Sequence, residues 1–139
     1  MGKFAIFKGI NNQFYFNLKD GNGERILASE GYRSKSSCEN GISSVKTNAT
    51  DDSQYEKRES TNEQYYFVLN ARNGEIIGTS EQYVSKTGRD KGIEAVKKEA
   101  PWAVIEHVNY YRLSKICFKI VYLIKKIMKC ELNLFIWIS

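Results

Sequence analysis

The chain has 139 residues, 42% of them apolar and 27% charged, with 10 Gly and a single Pro; this is the composition of one compact domain, neither collagenous, disulfide-stapled nor disordered. A chain of this length buries roughly two-thirds of the surface that it exposes unfolded, so it needs no metal or disulfide to fold, and its one histidine excludes most histidine-built metal sites and any two-histidine relay. The net charge of +5 is confined to the end: residues 108–139 hold Arg112, Lys115, Lys119, Lys125, Lys126 and Lys129 against Glu131, whereas the other 107 residues carry 15 basic and 15 acidic side chains. A neutral body with a basic, apolar tail differs from a uniformly basic nucleic-acid binder, because attraction to phosphates needs the charge on the binding face.

The opening Met1-Gly2-Lys3-Phe4-Ala5-Ile6 has no apolar stretch of secretory length, and Ile6 stands where a myristoylation signal has Ser or Thr. Cys38, Cys117 and Cys130 are odd in number and form no CxxC pair, as expected of reduced cytoplasmic thiols. Without a secretory route, the sequon Asn48-Ala49-Thr50 is read as a chance match.

The first strand is expected at Phe4 to Phe7. Phe14, Phe16 and Leu18 then alternate with Tyr15 and Asn17, the period of a half-buried strand. Asn22-Gly23 lies before a further strand-like run and predicts a tight primed turn with positive φ at both residues. From Ser36 the period changes. Ser36 with Glu39 is spaced to satisfy free N–H groups at a helix start, and Ile42, Val45 and Ala49 fall on one helical face. Gly41, inside that helix, costs about 1 kcal/mol relative to alanine, so close backbone approach, helix on sheet, and plain inheritance compete to explain it.

All of this recurs 51 residues later. Seventeen of the 35 positions 12–46 are identical to their mates, from Gln13/Gln64 to Lys46/Lys97, with no gap. The body is therefore a tandem duplication. Its second copy has a strand at Tyr55 to Arg58, then Tyr65, Phe67 and Leu69 alternating with Tyr66 and Val68, the turn Asn73-Gly74, a start at Thr87 and Asp90, and a helix face of Ile93, Val96 and Ala100 around Gly92.

The run Asn22-Gly23-Glu24, Ser29-Glu30-Gly31-Tyr32-Arg33-Ser34-Lys35 and Gly41-Ile42-Ser43-Ser44-Val45-Lys46, with its echo in the second copy, resembles the YegP-like family, prokaryotic tandem-repeat domains of unknown function. The resemblance covers about residues 3–107. It implies an α+β fold in which a β-β-β-α-β unit is used twice, about 3–53 and 54–107, the two sharing one antiparallel sheet with exchanged C-terminal strands and helices on one face. It brings no activity, cofactor or catalytic residue with it.

The sites are weaker signals. Tyr32, Ser34 and Lys35, with Tyr83, Ser85 and Lys86, lie at strand-to-helix connections, where a helix N-terminus and a lysine can hold an anion; the competing reading is that the serines cap, the tyrosines pack and the lysines are solvated. Tyr15 and Tyr66 point away from the helix-covered face and suggest base stacking, an alternative that the neutral body disfavours. No phosphate-loop motif appears, Gly21-Asn22-Gly23 reads as a turn, and His107 stands without a nucleophile partner, so no catalytic, cofactor-binding or metal-binding residue is assigned and the expectation is a non-enzyme.

The tail, 108–139, has no repeat mate. Between Arg112 and Met128 a helical wheel gathers Leu113, Ile116, Cys117, Ile120, Val121, Leu123, Ile124, Ile127 and Met128 within one half-circle, with Arg112, Lys115, Lys119, Lys126 and Lys129 on the other side. An amphipathic helix of this kind lies in a membrane interface. Spanning is rejected, since four central lysines outweigh the apolar gain on the insertion scale. An interfacial anchor on an anionic membrane surface, a helix docked on the body or on a second chain, and an extension without function remain open. The expectation is a non-catalytic binding or association domain, cytoplasmic and peripheral at the membrane, with partner or self-association unassigned.

Overall fold

The computed structural model describes residues 1–108 together with Ile120, Leu123, Ile124, Lys126 and Ile127. The chain divides into two units, Met1–Val108 and Asn109–Ser139.

The first unit runs β1 (Lys3–Lys8), β2 (Phe14–Lys19), β3 (Arg25–Ala28), α1 (Lys35–Asn48), a 3-10 turn (Asp52–Gln54), β4 (Tyr55–Glu59), β5 (Tyr65–Asn70), β6 (Ile76–Thr79), α2 (Lys86–Glu99), a second 3-10 turn (Ala100–Trp102) and β7 (Val104–His107). The seven strands form one sheet in the order β4-β5-β6-β3-β2-β1-β7. The copies meet at β3 and β6, where Ala28 lies opposite Thr79, its mate 51 positions on. A pseudo-twofold axis passes through this junction.

Strand exchange is present and makes the sheet mixed. β7, which closes the second copy, pairs with β1 of the first, and it does so in parallel, with Phe4 opposite Ile105 and Ile6 opposite His107. The first copy has no separate closing strand. A shift of 51 places β7 on residues 53–56 and β1 on residues 54–59, so β4 stands in for both elements at the point where the copies are joined. Seven strands result where two complete units would contribute eight.

Alternation decides which face is core. Phe4, Phe16, Leu18, Leu27, Phe67 and Leu69 are fully buried on the helix-covered face, and Ile42, Val45, Ala49, Ile93, Val96 and Ala100 meet them from the helices. Each helix reaches beyond its own copy: α1 packs on β2 and also on β5 and β6, and α2 on β5 and also on β3. A single copy of about 50 residues buries too small a fraction of its surface to be stable, and interlocking removes that deficit. Burying a phenylalanine such as Phe16 or Phe67 contributes about 1.5–3 kcal/mol.

Two local expectations are corrected. Asn22 and Asn73 do not take positive φ; Gly23 (82°) and Gly74 (87°) do so alone. Gly23 N–H donates to Asp20 O (3.0 Å) and Asp20 N–H to Glu24 O (2.9 Å), which defines a three-residue loop ending in one left-handed residue, and Ala71 to Glu75 repeats it. Such a loop delivers the strand twist through one left-handed residue, where a primed two-residue turn needs two. The helices also start two residues before the expected Ser36 and Thr87: Ser34 accepts from Ser37 N–H and Ser85 from Gly88 N–H. Ser36 lies within the first turn, and its spacing to Glu39 is incidental.

Candidate functional site

Four of the six residues singled out at the helix starts are engaged by the fold. Ser34 and Ser85 are the N-caps, at 3.1 and 3.0 Å from the N–H groups that they satisfy. Tyr32 and Tyr83 are tied to the sheet by paired backbone hydrogen bonds, to Phe14 and Tyr65 respectively, all 2.7 Å long. Their rings then lean over the helix glycines: a Cβ on Gly41 would stand 2.3 Å from the Tyr32 hydroxyl, and one on Gly92 2.3 Å from that of Tyr83. The close approach expected at these glycines is real, but the approaching group is a tyrosine ring and not the sheet. Burial pushes both phenols above their ordinary pKa, so they stay neutral. Lys35 and Lys86 are exposed, the latter 6.0 Å over the Tyr65 ring. The six residues therefore form two separate helix starts, one per copy.

Tyr15 and Tyr66 lie on the helix-free face as expected, and both are partly buried. The Tyr15 ring stacks on Phe7 at 5.6 Å, and its hydroxyl accepts from the Asn11 amide at 2.8 Å. Tyr66 neighbours Arg58, whose guanidinium makes a two-pronged contact with Glu56 at 2.9 and 3.1 Å.

Sequence reasoning missed a cleft of about 390 Å³ between β4 and α2. Its floor is Tyr55 and Ile93. Lys57 from β4 pairs with Asp90 from α2 at 3.2 Å. Lys97 meets Glu94 at 3.2 Å and also Asp52, so one ammonium serves two carboxylates. These bonds hold the Asp90 carboxyl below, and Lys97 above, their ordinary values. The Tyr55 hydroxyl donates to Ala49 O at 2.5 Å, and burial, then Asp52 and Glu94, raise its pKa strongly. The lining holds three carboxylates and two ammonium groups, paired with one another, beside the Tyr55 and Ile93 side chains, so the cleft presents charged groups at which a ligand can be held. The legible signal was divergence between the copies: Lys57, Asp90 and Glu94 stand where the first copy has Ile6, Glu39 and Ser43.

In the second unit, Ile120, Leu123, Ile124, Lys126 and Ile127 are helical. The four apolar residues, spaced i, i+3, i+4 and i+7, are between 51% and 59% exposed, and Lys126 lies off their stripe. Arg112, Lys115, Lys119 and Lys129 are outside the described residues. Among the described residues no helix is long and apolar enough to cross a membrane, and no cluster of His, Cys, Asp and Glu is placed to hold a metal.

A family model described as a domain of unknown function, DUF1508, matches the chain twice, at residues 11–56 and 60–106. A UPF0339 protein encoded in the ptx operon 5′ region of Stutzerimonas stutzeri is 49% identical over 108 residues, covering 78% of this chain and 97% of that protein. The UPF0339 protein YegP of Escherichia coli K12 is 48% identical over 96 residues, 69% of this chain and 87% of YegP. Solution structures of a UPF0339 protein from Shewanella oneidensis and of Escherichia coli YegP each superpose with a TM-score of 0.73, at 44% and 43% identity, over 76% of this chain and 90% and 91% of theirs.

Proposed function

This chain belongs to the DUF1508 family of YegP-like UPF0339 proteins, and from that premise we propose that it is a non-catalytic binding module whose C-terminal segment holds it at an anionic membrane surface on the cytoplasmic side. The observation that carries the reading is the stripe of Ile120, Leu123, Ile124 and Ile127, half-exposed at helical spacing beside Lys126, in a segment that holds six basic residues against one acidic. Sinking four half-exposed aliphatic side chains into the acyl boundary contributes about 1 kcal/mol each. Each basic residue near anionic lipid adds about 1 kcal/mol.

Flotation with anionic liposomes tests this, using the full chain beside residues 1–107 at low and high salt. Relatives matched over nearly their whole length span little more than the body, which supports using the truncation. The full chain floats, salt releases part of it, and the truncated body stays at the bottom. Equal behaviour of the two proteins refutes the anchor.

A second reading, base stacking on Tyr15 and Tyr66, is favoured by their place on the helix-free face and opposed by the neutral charge of residues 1–107 and by the Phe7 ring stacked on Tyr15. Single-stranded nucleic acid bound by residues 1–107, and lost in a Tyr15→Ala, Tyr66→Ala variant, would put this reading first.

A further inference from the structure

The two outer edges of the sheet are not equivalent under the pseudo-twofold. At β1 the outer edge is filled: Val104 N–H donates to Gly2 O and, at 2.8 Å, Val108 N–H to Ile6 O, so β7 lies along it in parallel. β4 is the mate of β1, and among the described residues it has a neighbour on one side only, β5. Its outward groups belong to Tyr55, Lys57 and Glu59, of which the Tyr55 N–H is already given to Asp52 O in the 3-10 turn: Phe67, the partner of Lys57, directs its own N–H and C=O to Ser80 on the far side, as Phe16, the partner of Ile6, does to Ser29. The cleft between β4 and α2 thus adjoins a strand edge with no neighbour among the described residues, on the flank that β7 occupies beside β1.

We propose that the outer edge of β4 and the adjoining cleft accept an extended segment of a partner polypeptide, which adds as an eighth strand parallel to β4 and carries a basic side chain opposite Tyr55. The parallel direction and register follow from β7. In that register the residue in the place of Ile105, which lies opposite Phe4, lies opposite Tyr55, on the cleft side of the sheet. There the lining is one charge negative, because Asp52 and Glu94 share Lys97 while Asp90 and Lys57 neutralise each other. The charged row Glu56-Lys57-Arg58-Glu59 keeps indiscriminate apolar strands off this edge, leaving it to a segment with complementary charge.

The probes are two synthetic peptides, Pro-Trp-Ala-Val-Ile-Glu-His-Val, the sequence of residues 101–108, and the same peptide with lysine in place of isoleucine. Amide shifts of the full chain are followed as each is added. Saturable shifts are expected on Tyr55 to Glu59 and on α2 from Ile93 to Lys97, with the lysine peptide about threefold tighter at low salt and the difference lost at high salt. Lys57→Pro removes an outward N–H without touching the β5 ladder and weakens binding about fivefold or more. Absence of saturation, shifts confined to β1 and β7, or a lysine peptide no tighter than its parent each overturns the proposal, and these readings on the unaltered chain decide the matter even where Lys57→Pro fails to fold. Concentration-dependent shifts on β4 without peptide would assign the edge to a second copy of the chain and overturn the choice of partner.

Discussion

Gly41→Ala is the substitution on which helix propensity and packing disagree in sign. Gly41 sits inside α1, where alanine is worth about 1 kcal/mol on propensity alone. Its new methyl would stand 2.3 Å from the Tyr32 hydroxyl and 2.6 Å from the ring carbon that bears it, against an ordinary contact of 3.4 Å or more. The ring must therefore retreat by about 1 Å from a close-packed position. It cannot do so freely, because the Tyr32 backbone is bonded twice to Phe14 and the ring stacks on Phe16 at 6.2 Å. Overpacking of this kind costs about 1–3 kcal/mol, so the net effect is a loss of about 1 kcal/mol. That lowers Tm by about 5 °C in a domain of this size. In a Tyr32→Ala background the obstacle is gone, and the same Gly41→Ala change stabilises by about 1 kcal/mol. Urea denaturation of the four proteins of this cycle gives a coupling of about 2 kcal/mol. If Gly41→Ala stabilises the native and the Tyr32→Ala chains alike, the tyrosine–glycine contact does not set the helix position and the reasoning fails; Gly92 with Tyr83 offers the same test in the second copy.

Other predictions follow from single contacts. Gly78→Ala drives a methyl to 2.5 Å from Leu27 and destabilises, Leu27→Gly opens a cavity and costs about 4 kcal/mol or more, and the exchange Leu27→Gly, Gly78→Leu is more stable than the sum of the single changes to glycine and leucine, as denaturant midpoints will show. Glu63 holds φ at 60° in the β4–β5 turn, so Glu63→Gly raises the urea midpoint by about 0.5–1 kcal/mol of stability. Burial pushes the Cys38 thiol up to about 11, so in a Cys117→Ser, Cys130→Ser chain maleimide labels Cys38 only after unfolding. A neutral thiol retained on folding also means that the unfolded chain releases its proton first, so stability declines between pH 9 and about 11, and a Cys38→Ala variant shows a flatter decline in that window.

The period of the sequence carried the architecture because period is what burial imposes. Phe16 and Leu18, Phe67 and Leu69, and the Ile42/Val45/Ala49 and Ile93/Val96/Ala100 stripes are all buried where alternation and helical spacing put them. Turn type and cap register were not legible in the same way. Asn22-Gly23 is compatible with two hairpin loops, and the choice rests on a hydrogen bond from Gly23 to Asp20 that no local pattern specifies. Three hydroxyl residues within four positions, Ser34, Ser36 and Ser37, offer competing caps, and the backbone entry from Tyr32 selects Ser34. The cleft was hidden because repeat matching rewards agreement, and of its seven lining residues only Ile93 and Lys97 agree with their mates, Ile42 and Lys46.

Those disagreements have a common cause. In a symmetric pair of identical units, every residue on the axis meets its own copy. Joining the units in one chain lifts that constraint, and the mates Leu27 and Gly78 use the freedom at the junction, where one leucine fills the space that two could not share. The cation over the ring at the mated positions Phe14 and Tyr65 changes source in the same way: Lys8 reaches Phe14 from β1, whereas Tyr65, whose strand partner is Glu59, is covered by Arg89 and Lys86 from α2. Arg89 can be buried there because Asp90 lies 3.3 Å away; its mate in the first copy is the apolar, fully buried Cys38. At the outer edge the divergence is largest. Residues 54–59 share no identity with residues 3–8, and Ile6 gives way to Lys57. An apolar strand is needed where β7 covers it, and a charged one where, among the described residues, no strand lies alongside, so the same ancestral strand has become core on one flank and a charged edge on the other.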